Sequence, residues 1–85
     1  MKVQLRFFAS VRETLGSAQE SVDFPESVRT VGEVRQFLIE RGGMWADALA
    51  DTRPLRMACN QVMCDAHAPI APDCELAFFP PVTGG

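Results

Sequence analysis

A single histidine (His67), a single tryptophan and no tyrosine leave this 85-residue chain few groups for acid–base or nucleophilic chemistry. No Ser-His-Asp order with supporting residues occurs. Gly42-Gly43 lacks the Lys-Ser/Thr that completes a phosphate loop. The 11 acidic residues are spread along the chain, the pattern of solvated surface and helix caps. A complete active site within the chain is not supported. The basic residues (Lys2, Arg6, Arg12, Arg29, Arg35, Arg41, Arg53, Arg56) form no run or stripe, and the net charge is −3. Nucleic-acid binding normally leaves clustered Lys and Arg, so that class is excluded. No apolar run approaches the ~20 residues of a membrane span. Met1 to Arg6 alternates polar and apolar residues and has no signal-peptide core, so a cytoplasmic protein is expected. The cysteines are Cys59, Cys64 and Cys74, an odd count with no CxxC. That argues against a disulfide framework, and one histidine does not complete a common zinc site. The three are expected to be small buried or half-buried thiols, with no metal bound.

What is present reads as one soluble domain, with 47% hydrophobic and 22% charged residues. Val3, Leu5 and Phe7 alternate with Lys2, Gln4 and Arg6, which predicts a half-buried strand. Ser10-Val11-Arg12-Glu13 has capping-box spacing and Gly16 fits a helix stop, so a short helix is expected over about 10–15. Gln19 to Phe24 alternates again and ends at Pro25. Thr30-Val31-Gly32-Glu33 is a second capping box. Val31, Val34, Phe37 and Leu38 then form the stripe of an amphipathic helix that stops near Arg41, before Gly42-Gly43. Met44 to Leu49 predicts a further short helical segment, with Trp45 as a core plug. Arg56–Cys59 and Val62–Cys64 flank Asn60-Gln61 as a tight hairpin. Ala66 to Asp73 is a loop. Glu75–Phe79 is the last strand, ended by Pro80-Pro81. The order β-(α)-β-α-(α)-β-β-β predicts an α+β domain of the β-grasp, or ubiquitin-like, kind. One main helix packs on one face of a mixed sheet. The expected division is a domain over 1–80 and a flexible tail over 81–85.

The chemistry concentrates at the end of the chain. A strand runs into a proline pair, which favours extended backbone. Val82 and Thr83 follow, then Gly84-Gly85, which add no bulk. The arrangement projects a free carboxylate on a thin arm. A carboxylate becomes electrophilic once it is an acyl-adenylate made with ATP. A sulfur donor that displaces AMP then leaves a thiocarboxylate, a nucleophilic sulfur on a tether. Glycine permits close backbone approach in a narrow partner channel and leaves the carbonyl unobstructed.

Glu75 to Gly85 (ELAFFPPVTGG), Leu5 to Glu13 (LRFFASVRE) and Asn60-Gln61 resemble the small, sulfur-carrying subunits of molybdopterin synthase, the MoaD/ThiS family of sulfur carriers. The segment Gly42 to Pro54 matches loosely. The resemblance implies that an E1-like adenylating enzyme activates Gly85 with ATP and that a sulfur donor protein converts it to the thiocarboxylate. The large subunit of the synthase then takes the sulfur for the dithiolene of molybdopterin. It implies a heterotetramer, two of each subunit, and no permanently bound cofactor. It also implies that the catalytic side chains lie in the large subunit.

In a β-grasp sheet the first and last strands are adjacent and parallel. Strand alternation then puts Phe8 and Phe79 on the helix-free face, beside the exit of the tail. Two exposed aromatics there are expected to form a partner site. Pro80, Pro81, Val82, Thr83 and Gly84 would share it, and Arg12 on the first helix is a candidate contact to an acidic partner surface. Three other functions are weighed against this one: a sulfur carrier of the thiamine-thiazole type, a ubiquitin-like protein modifier and a self-contained enzyme. Phe-Phe-Pro-Pro-Val-Thr before Gly-Gly favours the molybdopterin branch, and the third lacks the residues for it.

Overall fold

The computed structural model describes residues 1–81. The chain runs β1 (Lys2–Phe7), α1 (Ala9–Leu15), β2 (Gln19–Asp23), α2 (Val31–Ile39), α3 (Met44–Leu49), β3 (Arg56–Cys59), β4 (Val62–Cys64) and β5 (Glu75–Phe79). The strands form one mixed sheet in the order β2-β1-β5-β3-β4. β5 is central. It runs parallel to β1, with Phe7 opposite Phe78, and antiparallel to β3, with Arg56 opposite Phe79. This is the expected β-grasp.

Alternation decides which face is covered. Val3, Leu5, Phe7, Leu76 and Phe78 are each at most 1% exposed. They pack with Val31, Val34 and Leu38 from α2 and with Val11 from α1. The helices therefore lie on that face. α2 forms because Thr30 caps it: the Thr30 hydroxyl accepts from the Glu33 N–H while the Glu33 carboxylate accepts from the Thr30 N–H. The helix ends at Ile39, two residues before Arg41. The reason is a tightened last turn, in which the Gly42 N–H donates to the Ile39 carbonyl at a positive φ of 75°.

The first helix starts differently from its sequence reading. Phe8, not Ser10, is its N-cap, and no side chain caps it. Ala9 takes a positive φ of 51° and turns the corner by itself. The Val11 and Arg12 N–H groups then bond to the Phe8 carbonyl, so Ser10 lies inside the helix. Its far end is as expected, with Gly16 left-handed at φ 71°. β2 stops one residue short of Phe24, whose ring is buried edge-on against Phe37. Trp45 is half-buried, with its ring edge-on to Phe7 at 5.7 Å and the Arg41 guanidinium 4.5 Å from its centre. It closes the core from the side. The β3–β4 hairpin turns on Asn60-Gln61 as expected, both with positive φ.

Candidate functional site

β5 delivers the chain to Pro80 and Pro81 at the sheet's centre, beside the end of β1. The Phe8 N–H donates to the Phe78 carbonyl at 3.2 Å and so extends the parallel ladder by one step. That step puts Phe8 beside Phe79 on the face without helices. Their rings meet edge-on, 6.5 Å between centres. Phe8 is 42% exposed and Phe79 half-buried. The left-handed Ala9 bends the chain away at once, which leaves the Phe8 ring uncovered. Arg6 reaches both this ring, at 5.9 Å, and the Glu75 carboxylate, at 3.8 Å.

The apolar surface continues across β3 and β4. Ala77 of β5 pairs with Ala58 of β3, and Ala58 with Met63 of β4. The alanines present little bulk, and Met63 is 56% exposed. A second feature borders the root of the tail. Pro80 and Pro81 line a cleft of about 260 Å³ with Val11 of α1 and with Arg53, Pro54 and Leu55. The wall of that cleft is anchored from behind. The Arg35 guanidinium donates to the carbonyls of Leu49 (2.7 Å), Ala50 (2.5 Å) and Arg53 (3.1 Å). Burial lowers the Arg35 pKa, and the Asp51 carboxylate opposes that shift.

The structure thus brings Phe8, Phe79, Pro80 and Pro81 together. Arg12 is exposed on the adjoining helix, with no carboxylate partner among the described residues. Val82, Thr83, Gly84 and Gly85, the rest of the expected site, lie outside the described residues. Sequence reasoning missed Met63, Arg53, Arg56 and the anchoring Arg35. Met63 was legible in principle, as an apolar residue at the centre of an edge strand. Arg56 looked scattered because its neighbourhood is set by the β3–β5 register, and Arg53 because its turn is placed by the bonds from Arg35.

The thiols lie elsewhere. Cys74 precedes β5, whereas the tail leaves at its other end, about 16 Å away at ~3.3 Å per residue. Cys74 is buried and Cys59 and Cys64 are half-buried. Burial pushes the Cys59 thiol up, reinforced by the neighbouring Cys74. Burial also raises Cys64, with the Asp65 carboxylate adding to it. Thiols held protonated are poor nucleophiles and poor metal ligands. Among the described residues no three His, Cys, Asp or Glu side chains are placed to hold a metal ion. No helix among them is long and apolar enough to cross a membrane. A larger groove, about 620 Å³, runs along α2 past Phe37 and His67 and shares no lining residue with the cleft beside the tail.

Known proteins with this pattern cover the chain from end to end. The molybdopterin synthase sulfur carrier subunit of Escherichia coli (strain K12) is 40% identical over 85 residues, 98% of this chain and 99% of that protein. SAMP1 from Haloferax volcanii has a solved structure that superposes with a TM-score of 0.76 at 26% identity, covering 100% of both chains. In the complex of subunits 1 and 2 of molybdopterin-converting factor from Helicobacter pylori, the matching chain superposes with a TM-score of 0.69. It is 21% identical over 100% of both chains and shares the fold. The ThiS family pattern matches residues 5–85, and this chain belongs to the ThiS family.

Proposed function

We propose that this chain is the sulfur carrier subunit of a molybdopterin synthase, with the Gly85 carboxylate as its reactive group. The observation that carries the reading is the parallel β1–β5 pair. It sends Phe79-Pro80-Pro81 outward from the centre of the sheet, beside the exposed Phe8 ring. The 40% identity to the Escherichia coli sulfur carrier subunit supports the pathway.

The chemistry runs in three stages. A partner adenylating enzyme uses ATP to convert the Gly85 carboxylate to an acyl-adenylate with release of pyrophosphate. The terminal sulfur of a donor persulfide attacks the acyl carbon, AMP leaves, and a thiol reductant cleaves the resulting acyl disulfide, releasing the thiocarboxylate and leaving the donor sulfur in a disulfide. In the large subunit, the thiocarboxylate sulfur is transferred to the pterin precursor and water restores the carboxylate. This chain's residues bind and present. Phe8, Phe79 and Arg12 dock on partners, Pro80 and Pro81 stiffen the exit, and the glycines thread the acyl group. The partners supply the acid, base and phosphate contacts.

Reconstitution tests this directly. Thiocarboxylated protein mixed with the large subunit and the pterin precursor should form dithiolene, and protein lacking Gly85 should form none. Equal product from both would overturn the reading. The likeness to SAMP1, a small archaeal modifier protein by the name of its Methanosarcina counterpart, favours one second reading: conjugation of Gly85 to lysines of other proteins. Covalent adducts in cell extracts that depend on Gly85, in place of a thiocarboxylated free form, would mark a modifier.

A further inference from the structure

The molecule carries an excess of negative charge, yet positive charge gathers around the root of the tail. Arg53 lines the cleft that holds Pro80 and Pro81. Arg56 stands opposite Phe79 in the β3–β5 register, next to the apolar face. Both are exposed. Of the other arginines, Arg12 on α1 is likewise exposed and without a carboxylate partner among the described residues, and the rest are engaged. Arg6 meets Glu75, Arg41 meets Glu20, Arg29 donates to the Glu26 carbonyl, and Arg35 holds three carbonyls. Arg53 and Arg56 have no carboxylate within ion-pair distance among the described residues. The nearest acid in sequence to Arg53, Asp51, is held by the Gln36 amide at 2.6 Å.

The turn that carries Arg53 is also fixed in place. Its carbonyl accepts from Arg35, and its N–H donates to the Ala50 carbonyl at 2.9 Å. A partly buried guanidinium is therefore committed to orienting a segment whose own arginine points at no internal partner. Two exposed cations with fixed backbones, flanking the one point where the tail leaves, are a docking feature of defined sign.

We infer that Arg53 and Arg56 form a cationic rim that docks on an acidic protein surface bordering the large subunit's entrance for the tail. The inference rests on the carrier reading above and adds the partner's charge. The rim steers encounter and sets the orientation in which the tail meets the entrance. The aromatic face supplies the desolvated contact. Complementary charge of this kind raises association rates, and salt erodes the gain because screening at physiological ionic strength acts within ~8 Å.

Stopped-flow association of the full chain with the large subunit, from low to high salt, tests it. R53E/R56E should associate about tenfold more slowly at low salt, and its rate should lose most of the salt dependence shown by the unaltered chain. K2E/R29E is the matched control. It changes net charge equally at exposed sites remote from the tail: Lys2 opens β1, and Arg29 bonds to Ile70 ahead of β5. It should associate like the unaltered chain. Thermal melts of both variants should match the parent, since all four positions are exposed. An unchanged rate and salt slope for R53E/R56E overturns the inference, as does equal slowing by K2E/R29E, which would make the effect one of net charge. If the unaltered chain fails to bind the large subunit, the carrier reading falls and the inference with it. If it binds and R53E/R56E binds identically, only the inference falls.

Discussion

Single residues set the chain reversals on which this domain depends. Ala9, Asn60, Gln61 and Asp73 all hold positive φ without being glycine. Asn and Asp tolerate that region through local hydrogen bonding, but glutamine does not. Gln61→Gly should therefore stabilise the β3–β4 hairpin by about 1 kcal/mol, the left-handed penalty less the extra entropy of glycine. A urea midpoint shifted upward at constant slope is the expected reading. Gly32 is the opposite case. Its N–H donates to the Ala66 carbonyl at 2.9 Å, and a Cβ there would lie 3.0 Å from that same oxygen. The oxygen cannot retreat freely, because the Val31–Ala68 and Ile70–Arg29 bonds strap the loop to the start of α2. Gly32→Ala gains helix propensity, yet crowding of ~1–3 kcal/mol outweighs it. A lower melting temperature, with the helix content of the folded state unchanged, checks this.

Elements were legible where one local rule governed them and obscure where two competed. Thr30 with Glu33 fixed the start of α2, because both halves of the capping box form. Ser10 with Glu13 has the same spacing, but the β1–β5 ladder continues through the Phe8 N–H. Phe8 is thereby held extended as the N-cap, and Ser10 falls within the helix. Tertiary pairing overrode the local signal. Strand alternation located Phe8 and Phe79, since both follow one step from the Phe7–Phe78 register. Arg35 was not legible, because its partners are carbonyls of a turn 14 to 18 residues away. The thiols show what burial on elements does to chemistry. Cys59 on β3 and Cys64 on β4 have pKa values raised above the ordinary 9.0, burial first. Their alkylation by iodoacetamide should stay slow at neutral pH and rise only above that value, later than in the unfolded chain. A folded-state pKa above the unfolded one favours the protonated fold. Its stabilising contribution is complete below the unfolded value and fades as pH climbs through the folded one. Rapid alkylation at pH 7, matching denatured protein, would contradict the burial argument.

At the scale of the whole molecule, the sheet divides labour between its faces, and β5 carries both roles in adjacent residues. Phe78 is 0% exposed and stacks near Phe7 at 6.4 Å under the helices. Phe79 points to the open face and meets only the exposed ring of Phe8 among the aromatics. The fold and the proposed docking surface are thus separable by one step along the chain. Truncating Phe78 to alanine leaves a cavity in the core and should cost about 3–5 kcal/mol. A domain of this length has roughly 4–13 kcal/mol to lose, so Phe78→Ala should be partly unfolded on warming. Phe79→Ala removes a half-buried ring from the face without helices and should cost less than Phe78→Ala, lowering the melting temperature by about 4–8 °C, the shift expected for ~1 kcal/mol. Its affinity for partners should nonetheless fall at least tenfold, about 1.4 kcal/mol, if the open face is the contact. Parallel melts and calorimetric titrations of both variants against the two proposed partners, an adenylating enzyme and a large subunit, separate the faces. A Phe79→Ala protein that binds both partners as tightly as the parent would remove the open face from the interface and leave the tail to be recognised by its own residues.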